Sequence, residues 1–229
     1  MEYDLSVIIP ALNEVENIVE LINYIYNENV KAEIIVSDGN SKDNTAAAAS
    51  AAGAKVITTE PGRGSQLNRG AEVASAPILL FLHADSRLEN GSLKALINKM
   101  NHEKDKIGGC FKLKISSQKL LLKFISWSSN LRAKYLNLIF GDQGIFVRKE
   151  YFYKIGGFPE IEIMEDWEFS KKMADYGKLL YLDKIIFTSA RRWENHGVLK
   201  TILLMHKIKI LYKLGIDPKK LKKIYRDAR

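Results

Sequence analysis

The sequence places a histidine and an aspartate, His83 and Asp85, directly after an apolar run in "PILLFLHADSRLENG". Residues two positions apart on a strand face the same side, so both side chains would point together beyond the sheet edge. Imidazole suits Mn²⁺ or Zn²⁺, and carboxylate suits Mg²⁺ or Mn²⁺. The pair therefore indicates a metal or phosphate site. The alternative is an aspartate that caps the next helix beside a half-buried core histidine.

Two adjacent acids, Glu165 and Asp166, form the strongest single pair of candidate catalytic residues. Apolar neighbours such as Ile163, Trp167 and Phe169 predict that the acids open a helix beside the core. One acid would then cap the helix while the other acts as a general base. Capping by both, without any chemistry, is the alternative.

Two turns carry further polar groups that would suit a nucleotide. Asp38 follows a predicted buried strand, where its carboxylate would accept hydrogen bonds from a nucleobase or ribose. A local turn leading to a helix cap at Asp43 is the alternative.

The segment Gly62–Gly64 would bring backbone and the Arg63 guanidinium to a diphosphate, although it matches neither the P-loop nor the dinucleotide pattern. A solvated turn is the alternative there.

The first half of the chain alternates between strand and helix patterns. The predicted strands are "LSVIIP", "AEIIVSDGN", "AKVITTE" and "APILLFL", and the predicted helices are Glu14–Asn27, Asp43–Ala52 and Ser65–Ala74. This alternation predicts βαβ units and a mainly parallel sheet, in which ligands bind beyond the carboxyl ends of the strands. We therefore expect one edge of the sheet to be lined by the residues that follow the strands: Asn13, Asp38, Arg63 and Asp85.

The second half is less regular. We expect a strand at "KIGGCFKLKIS", a helix over Leu120–Phe140 and a short strand in "GDQGIFVRKE". The segment "GGFPEIEIMEDWEFSKKMADYG" predicts a loop that leads into a helix ending near Gly177. Two further short strands and a basic, amphipathic helical tail complete the prediction.

Composition limits the class of protein. The chain has 229 residues and 46% hydrophobic residues, enough for a sizeable core. Cys110 is the single cysteine, which excludes an intramolecular disulfide and a multi-cysteine zinc site. The sequence has neither a signal-peptide pattern nor the run of roughly 18 apolar residues that spans a bilayer. These features predict a protein of the reducing cytoplasm.

The positive charge is concentrated at the carboxyl end. Lys200–Arg229 contains ten basic and two acidic residues, a net charge of +8 that equals the net charge of the whole chain. This distribution is typical of a neutral domain with a basic appendage. The appendage either rests on an anionic membrane surface, on the inner face of the membrane, or packs on the domain with solvated lysines. Nucleic-acid binding is not expected, because the tail offers no aromatic stacking surface.

Taken in order, five segments over roughly Leu5–Trp193 resemble those of the family 2 glycosyltransferases. "SVIIPALNE" is similar to the opening strand and loop of that family, and "VSDGNSKDNT" to its acidic nucleotide-binding turn. "GRGSQLNRGAEVA" is similar to its glycine-asparagine helix and "LFLHAD" to its DXD metal motif. "GGFPEIEIMEDWEFSKKM" is similar to the segment that carries the acidic catalytic pair. The chain most resembles the small, single-domain bacterial members that carry "LHAD" and a late "RRWE".

The resemblance implies an α/β architecture, the GT-A fold, with flanking helices on a Rossmann-like sheet. It implies inverting transfer of a sugar from a UDP or GDP sugar to an acceptor hydroxyl, with Mn²⁺ or Mg²⁺ as cofactor. A basic tail that rests on a membrane would favour a lipid-linked acceptor, and a tail that packs on the domain a soluble one. The implied catalytic residues are Asp166 and Glu165. The implied nucleotide-sugar residues are Pro10, Asn13, Glu14, Asp38, Arg63, Asn68, His83 and Asp85, of which Asp85 and His83 hold the metal. The implied acceptor residues are Gln143, Arg192 and Trp193.

The resemblance also divides the chain. Residues 1–197 would form the glycosyltransferase domain, with a nucleotide-binding half (1–88) and an acceptor half (89–197), and residues 198–229 the basic tail. His83 stands where the family has an acid, so metal ligation would rest mainly on Asp85. "SARRW" matches the acceptor-side QxxRW motif at Arg192 and Trp193 but has Ser189 in place of glutamine, which argues against processive polymer synthesis.

Two other classes of function stay open at this point. A GT-A-fold nucleotidyltransferase also uses aspartate-bound Mg²⁺, but it leaves "EDWEFS" without a role. A non-catalytic protein that binds nucleotide sugars or docks on membranes would explain the departure at His83.

Overall fold

The structure is a computed structural model that describes residues 2–191, 193 and 197–227. The strands are β1 (Leu5–Ala11), β2 (Ala32–Asp38), β3 (Lys55–Thr58), β4 (Ile78–Phe81), β5 (Arg87–Leu88), β6 (Lys106–Ser116), β7 (Ile145–Arg148) and β8 (Lys178–Ser189). The helices are α1 (Val15–Asn27), α2 (Thr45–Ala51), α3 (Arg63–Glu72), α4 (Ser92–His102), α5 (Leu120–Leu136), α6 (Lys149–Ile155), α7 (Glu165–Tyr176), α8 (Val198–Lys213) and α9 (Pro218–Asp227). A 3₁₀ turn occupies Gly141–Gln143.

The described strands form one mixed sheet in the order β3-β2-β1-β4-β7-β6-β8-β5. The first four strands in this order are parallel, as the alternation of strands and helices predicted. Strand β7 runs antiparallel to both of its neighbours, β4 and β6, while β6 and β8 are parallel. The loops that follow β1, β2 and β4 therefore meet at one edge of the sheet.

Helices cover both faces of this sheet, so its central strands are apolar on both sides. In β1, Val7 and Ile9 pack with α1 and α4, whereas Ile8 packs on the opposite face with α3 and α7. Gly70 brings α3 close to the sheet, because a Cβ atom at this position would lie 2.4 Å from Ile8 Cγ2. This close approach sets the position of the amino end of α3 at the sheet edge.

The C-terminal helices pack on the domain. Ile208 of α8 and Leu221 of α9 are buried with Met164 and Trp167 beside the start of α7. Farther along, Val198 and the following turns of α8 contact a second cluster that includes Leu122 of α5. No helix in the described part of the chain is long and apolar enough to cross a bilayer.

Several elements differ from the sequence predictions. Helices α2 and α3 span Thr45–Ala51 and Arg63–Glu72, whereas Asp43–Ala52 and Ser65–Ala74 were predicted. Helix α5 ends at Leu136, short of Phe140, because Asn137 adopts a left-handed conformation with φ of +53°. The two short strands expected after Gly177 are one strand, β8, of 12 residues. Strand β5 and helices α4 and α6 were not predicted.

Candidate active site

A cleft opens beyond the carboxyl ends of β1 and β4, between the amino ends of α3 and α7. Pro10 from β1, Arg63 from α3 and His83 from the loop after β4 line it, together with Glu165 and Asp166. These residues come from segments that are far apart in sequence. The fold therefore brings part of the "LHAD" segment and both acids of "EDWEFS" to one place.

Gly141 joins the histidine to the second acid. Its backbone N–H donates a hydrogen bond of 2.8 Å to Asp166 Oδ2. A Cβ atom at Gly141 would lie 2.6 Å from His83 Nε2 and 3.4 Å from Asp166 Oδ2, so a larger residue would force the His83 ring or the turn to shift. The other oxygen of Asp166 accepts the N–H of Trp167 at 2.7 Å. Hydrogen bonds from two backbone N–H groups thus fix the orientation of the Asp166 carboxylate, which lines the cleft.

Glu165 is the buried member of the acidic pair. Its side chain is 3% exposed, and Oε1 accepts a hydrogen bond of 3.1 Å from Nη1 of Arg63, which is 51% exposed. Burial raises the pKa of Glu165, an effect that Arg63 opposes and the neighbouring charge of Asp166 reinforces. The salt bridge ties the amino ends of α3 and α7 together, whereas half-buried Asp166 remains open to the cleft.

The residues available for a divalent metal ion are His83 and Asp85. Both are half-buried in the loop after β4, and the Asp85 carboxylate has no hydrogen-bond or ion-pair partner among the described residues. The described chain contains no group of three or more His, Cys, Asp or Glu side chains placed to hold a metal. One carboxylate and one imidazole fit an Mn²⁺ ion whose other ligands come from a diphosphate and water.

The predicted nucleotide residues of the first two loops hold those loops together. The side-chain oxygen of Asn13 accepts the Lys42 N–H at 2.8 Å, and its own N–H donates to Ser41 Oγ at 2.9 Å. Asp38 is buried and accepts the Ser41 N–H at 2.9 Å. Glu14 donates its N–H to Thr45 Oγ1 at 2.9 Å. The structure therefore places Asn13 and Asp38 at one sheet edge, as expected, and Glu14 lies in the same pair of hydrogen-bonded turns.

Asn68 and Gln66 of α3 bond to backbone groups around the cleft. The Asn68 side chain donates to the Phe158 carbonyl at 2.8 Å and accepts the Phe158 N–H at 2.9 Å. Gln66 is buried and donates to the carbonyls of Ala11 and Ser37, at 2.9 Å and 2.8 Å. The contacts of Asn68 in this structure are thus structural, because its amide is occupied by the loop that leads to α7.

The acceptor side was predicted to include Gln143, Arg192 and Trp193. Gln143 is fully buried, and its side-chain oxygen accepts a hydrogen bond of 3.1 Å from Arg132 Nη2. Trp193 is also buried, in the cluster beside α5 and α8. Arg192 lies outside the described residues. The side chains of Gln143 and Trp193 are thus both buried in this structure, and their role toward an acceptor stays a prediction.

Two cations, Arg132 and Lys209, lie near Asp166. The Arg132 guanidinium lies 4.3 Å from the centroid of the Phe140 ring, and Lys209 Nζ lies 4.8 Å from the same centroid. Both cations are half-buried, and neither has a carboxylate salt-bridge partner within the described part of the chain. Burial lowers the pKa of Arg132 and of Lys209, and the charge of Arg132 lowers the pKa of Lys209 further. The charges of Asp142 and Asp166 act on both pKa values in the opposite direction. This corner of the site therefore holds two partly desolvated cations beside the carboxylates of Asp142 and Asp166.

Comparison with known proteins decides which fold and family this geometry belongs to. The family model described as glycosyl transferase family 2 matches residues 6–156. The chain belongs to glycosyl transferase family 2. An uncharacterised glycosyltransferase of Mycobacterium tuberculosis (strain ATCC 25618 / H37Rv) is 31% identical to this one over 105 residues, 45% of this chain and 47% of that protein. The chain thus spans about half the length of the curated relatives that it matches first.

Solved glycosyltransferase structures share the fold. The mannosyltransferase PcManGT from Pyrobaculum calidifontis, in complex with GDP-Man and Mn²⁺, aligns with a TM-score of 0.70 and 19% identity over 100% of this chain and 70% of that one. Glucosyl-3-phosphoglycerate synthase from M. tuberculosis, in complex with Mn²⁺, UDP and glucosyl-3-phosphoglycerate, aligns with a TM-score of 0.59 and 19% identity over 82% and 70%. This family 2 glycosyltransferase therefore has the predicted GT-A fold.

The sequence patterns of this glycosyltransferase do not single out Gly141, Arg132, Lys209 or Gln66 as site residues. Gly141 lies in "GDQG", directly before a predicted strand, which was a usable signal for a turn at the sheet edge. Arg132 and Lys209 are single cations within helical patterns, where a solvated charge is the ordinary expectation. Only the packing of α5 against α8 shows that they converge on Phe140.

Proposed function

We propose that this glycosyltransferase moves a sugar from a UDP or GDP sugar to an acceptor hydroxyl, with inversion at the anomeric carbon and with Mn²⁺ or Mg²⁺ as cofactor. The observation that carries the proposal is the contact of His83 and Asp166 with the same residue, Gly141. It brings the segment proposed to receive the donor diphosphate against the segment proposed to activate the acceptor. A direct displacement needs these two functions on either side of one reacting carbon.

Asp166 is assigned the general base. Its carboxylate faces the cleft, so it can accept the proton of an acceptor hydroxyl as the oxygen attacks the anomeric carbon. Two backbone N–H groups hold the carboxylate in place, which keeps its orientation fixed during the transfer. Glu165 is assigned a positioning role, because it is buried against Arg63 and has little exposed surface.

Asp85 and His83 are assigned to the diphosphate side. When bound there, a divalent cation would offset the negative charge that develops on the leaving nucleoside diphosphate. The Asp85 carboxylate is the main proposed ligand, and His83 is a neutral ligand or a hydrogen-bond donor to a phosphate oxygen. Arg63 lies at the amino end of α3, where a guanidinium and a helix terminus both favour a phosphate group. Pro10 lines the floor of the same cleft.

The acceptor is assigned to the side of the site formed by Phe140, Arg132 and Lys209. Both cations lie close enough to Asp166 for its charge to act on them, and both are partly desolvated. Such cations favour an acceptor that carries a phosphate or carboxylate group. Lipid-linked acceptors with a phosphate belong to this class, and so do soluble sugar phosphates.

A donor screen tests the proposal. The full chain is incubated with UDP and GDP sugars, with and without Mn²⁺, and release of nucleoside diphosphate and sugar is measured. We expect one donor to be hydrolysed slowly, with stimulation by Mn²⁺ and loss of activity in Asp166→Asn. NMR of the first product formed should show the inverted anomer.

Release of pyrophosphate from a nucleoside triphosphate and a sugar phosphate would instead establish a nucleotidyltransferase. Metal-independent binding without turnover would establish a binding protein.

A further inference from the structure

Helix α5 is apolar on its outer face as well as on its inner face. Its inner face, which includes Leu122 and Ala133, is buried. On the outer face, Phe124 and Trp127 are 58% and 56% exposed, and their rings contact each other with centroids 5.5 Å apart. Leu120, one turn earlier, is 81% exposed. A helix on the surface of a globular domain normally carries polar residues on that face.

Helix α8 carries a second exposed apolar stripe. Leu199, Leu203, Ile210 and Leu214 are all exposed, with Leu203 at 70%. Their spacings of four, seven and four residues place them on one face of the helix. The opposite face packs on the domain through Thr201 and Ile208. The two helices are neighbours, because Leu122 of α5 and Ile202 of α8 belong to the same cluster.

The charge on both helices has a single sign. Helix α5 contains Lys123, Arg132 and Lys134, helix α8 contains Lys200, Lys207, Lys209 and Lys213, and neither helix contains an acidic residue. Lys200, Lys207 and Lys213 are exposed on either side of the α8 stripe. Exposed leucine, phenylalanine and tryptophan flanked only by lysine and arginine is the composition of helices that lie in the interfacial layer of an anionic bilayer.

We propose that the outer faces of α5 and α8 form a docking surface for an anionic lipid bilayer. The apolar residues Leu120, Phe124, Trp127, Leu199, Leu203, Ile210 and Leu214 enter the interfacial layer, and the flanking lysines contact lipid phosphates. A second copy of this chain fits this surface poorly, because it would bring two faces of the same positive charge together. This inference goes beyond the proposed transfer reaction and does not depend on it.

The docking surface would also determine the direction from which the acceptor reaches the site. Arg132 and Lys209, which flank Phe140 near Asp166, belong to the same two helices. An acceptor whose phosphate lies at the bilayer surface would therefore approach the site along α5 and α8. A lipid-linked acceptor is favoured over a soluble one on this ground.

Vesicle binding tests the proposal directly. The full chain is sedimented with vesicles of phosphatidylglycerol and phosphatidylcholine, and with vesicles of phosphatidylcholine alone, at low and at high salt. We expect binding to require the anionic lipid and to weaken at high salt. The pair Phe124→Gln and Leu203→Gln should lower the partition coefficient by about tenfold or more, because burial of apolar side chains supplies the salt-resistant part of binding.

Tryptophan fluorescence gives a second measurement. Trp127 is exposed whereas Trp167 and Trp193 are buried, so a blue shift on binding reports Trp127. Trp127→Phe should bind vesicles nearly as well as the wild type but lose the shift. If anionic vesicles leave the fluorescence of the wild type unchanged although the protein sediments with them, α5 does not enter the bilayer and the proposal is overturned.

Matched controls separate this surface from general effects. Tyr176→Gln removes an exposed aromatic residue from the end of α7, outside the proposed docking surface. The pair Lys94→Gln and Lys104→Gln removes two exposed charges, one within α4 and one directly after it. These variants should bind vesicles like the wild type. Asp166→Asn should also bind normally, so failure of the proposed chemistry leaves this test intact. Absence of binding at low salt would overturn the proposal, and so would a dimer in solution that Phe124→Gln and Leu203→Gln dissociate.

Discussion

The N–H of Gly141 donates a 2.8 Å hydrogen bond to Oδ2 of Asp166, and the same glycine lies against the ring of His83. This residue opens the 3₁₀ turn before β7, the strand that pairs with β4. The pairing holds the turn beside the loop that carries His83 and Asp85. The spacing between the proposed metal segment and the proposed base is thus set by backbone, which moves less than side chains do.

Gly141→Ala should therefore reduce turnover while the protein remains folded. The added methyl group would lie within 2.6 Å of His83 Nε2, so either the ring or the turn has to move. Displacement of about 1 Å in an active site costs on the order of 10²-fold in rate. Gly91→Ala is the control for backbone strain alone, because Gly91 has φ of +76° but a Cβ atom there meets nothing within 4 Å, and the residue does not line the cleft. Equal activity of the two variants would contradict this account of the site.

Asp166→Asn should lower turnover by roughly 10²-fold or more and leave donor binding in place. The substitution keeps the shape of the side chain and removes its basicity. Glu165→Gln should have the smaller effect, because the Glu165 side chain is 3% exposed and its carboxylate is engaged by Arg63. Steady-state kinetics on the donor found in the screen decide the assignment. The roles are reversed if Glu165→Gln is the crippling change.

The free energy of unfolding should depend on pH through the titration of Glu165. Burial raises its pKa, so the unfolded chain releases this proton at a lower pH than the folded chain does. The wild type therefore loses stability relative to Glu165→Gln as pH rises from the ordinary glutamate range through the raised pKa. Urea unfolding between about pH 4 and about pH 8 measures the difference. Glu16→Gln, at an exposed position, is the control. If the free energy of unfolding of Glu165→Gln and of Glu16→Gln changes with pH in the same way, the pKa of Glu165 is not raised by folding.

Strand ends were the informative signal in the sequence. His83 and Asp85 follow β4, Asp38 ends β2, and the acids Glu165 and Asp166 open α7, all as predicted. The reason is that parallel βαβ units bring the residues after their strands to one edge of the sheet, independently of how the side chains pack. The predicted α/β fold and the family are confirmed by the structure and the comparisons.

The second half was predicted less well because tertiary contacts determine it. The two short strands predicted after Gly177 are one strand, because β8 continues through Asp183 and Lys184. Its pairing with β6 skips these two residues, since Phe111 pairs with Leu182 and the next residue of β6 pairs with Ile185. This β-bulge places the polar pair outside the ladder. Helix α4, in contrast, had a readable pattern, because its buried residues Leu93, Leu96, Ile97 and Met100 follow helical spacing.

Nucleoside diphosphate binding should depend on Asp85. We expect calorimetry with UDP or GDP to show that Mn²⁺ strengthens binding and that Asp85→Ala removes this metal-dependent part. The reason is that Asp85 is the proposed carboxylate ligand and has no other partner among the described residues. His83→Ala should weaken the metal effect less, since imidazole is the neutral member of the pair. A folded Asp85→Ala protein with the full metal effect would refute the assignment.

The last prediction separates the two faces of the C-terminal helices. Leu221 of α9 is fully buried against Trp167 and Ile208, whereas Leu199 of α8 is exposed. Leu221→Ala should therefore lower the free energy of unfolding by about 2–5 kcal/mol, and Leu199→Ala should change it by less than about 0.5 kcal/mol. Denaturant unfolding of both variants measures this contrast. A small effect of Leu221→Ala would mean that α9 is detached from the domain in solution, and the basic tail would then be free to contact lipid on its own.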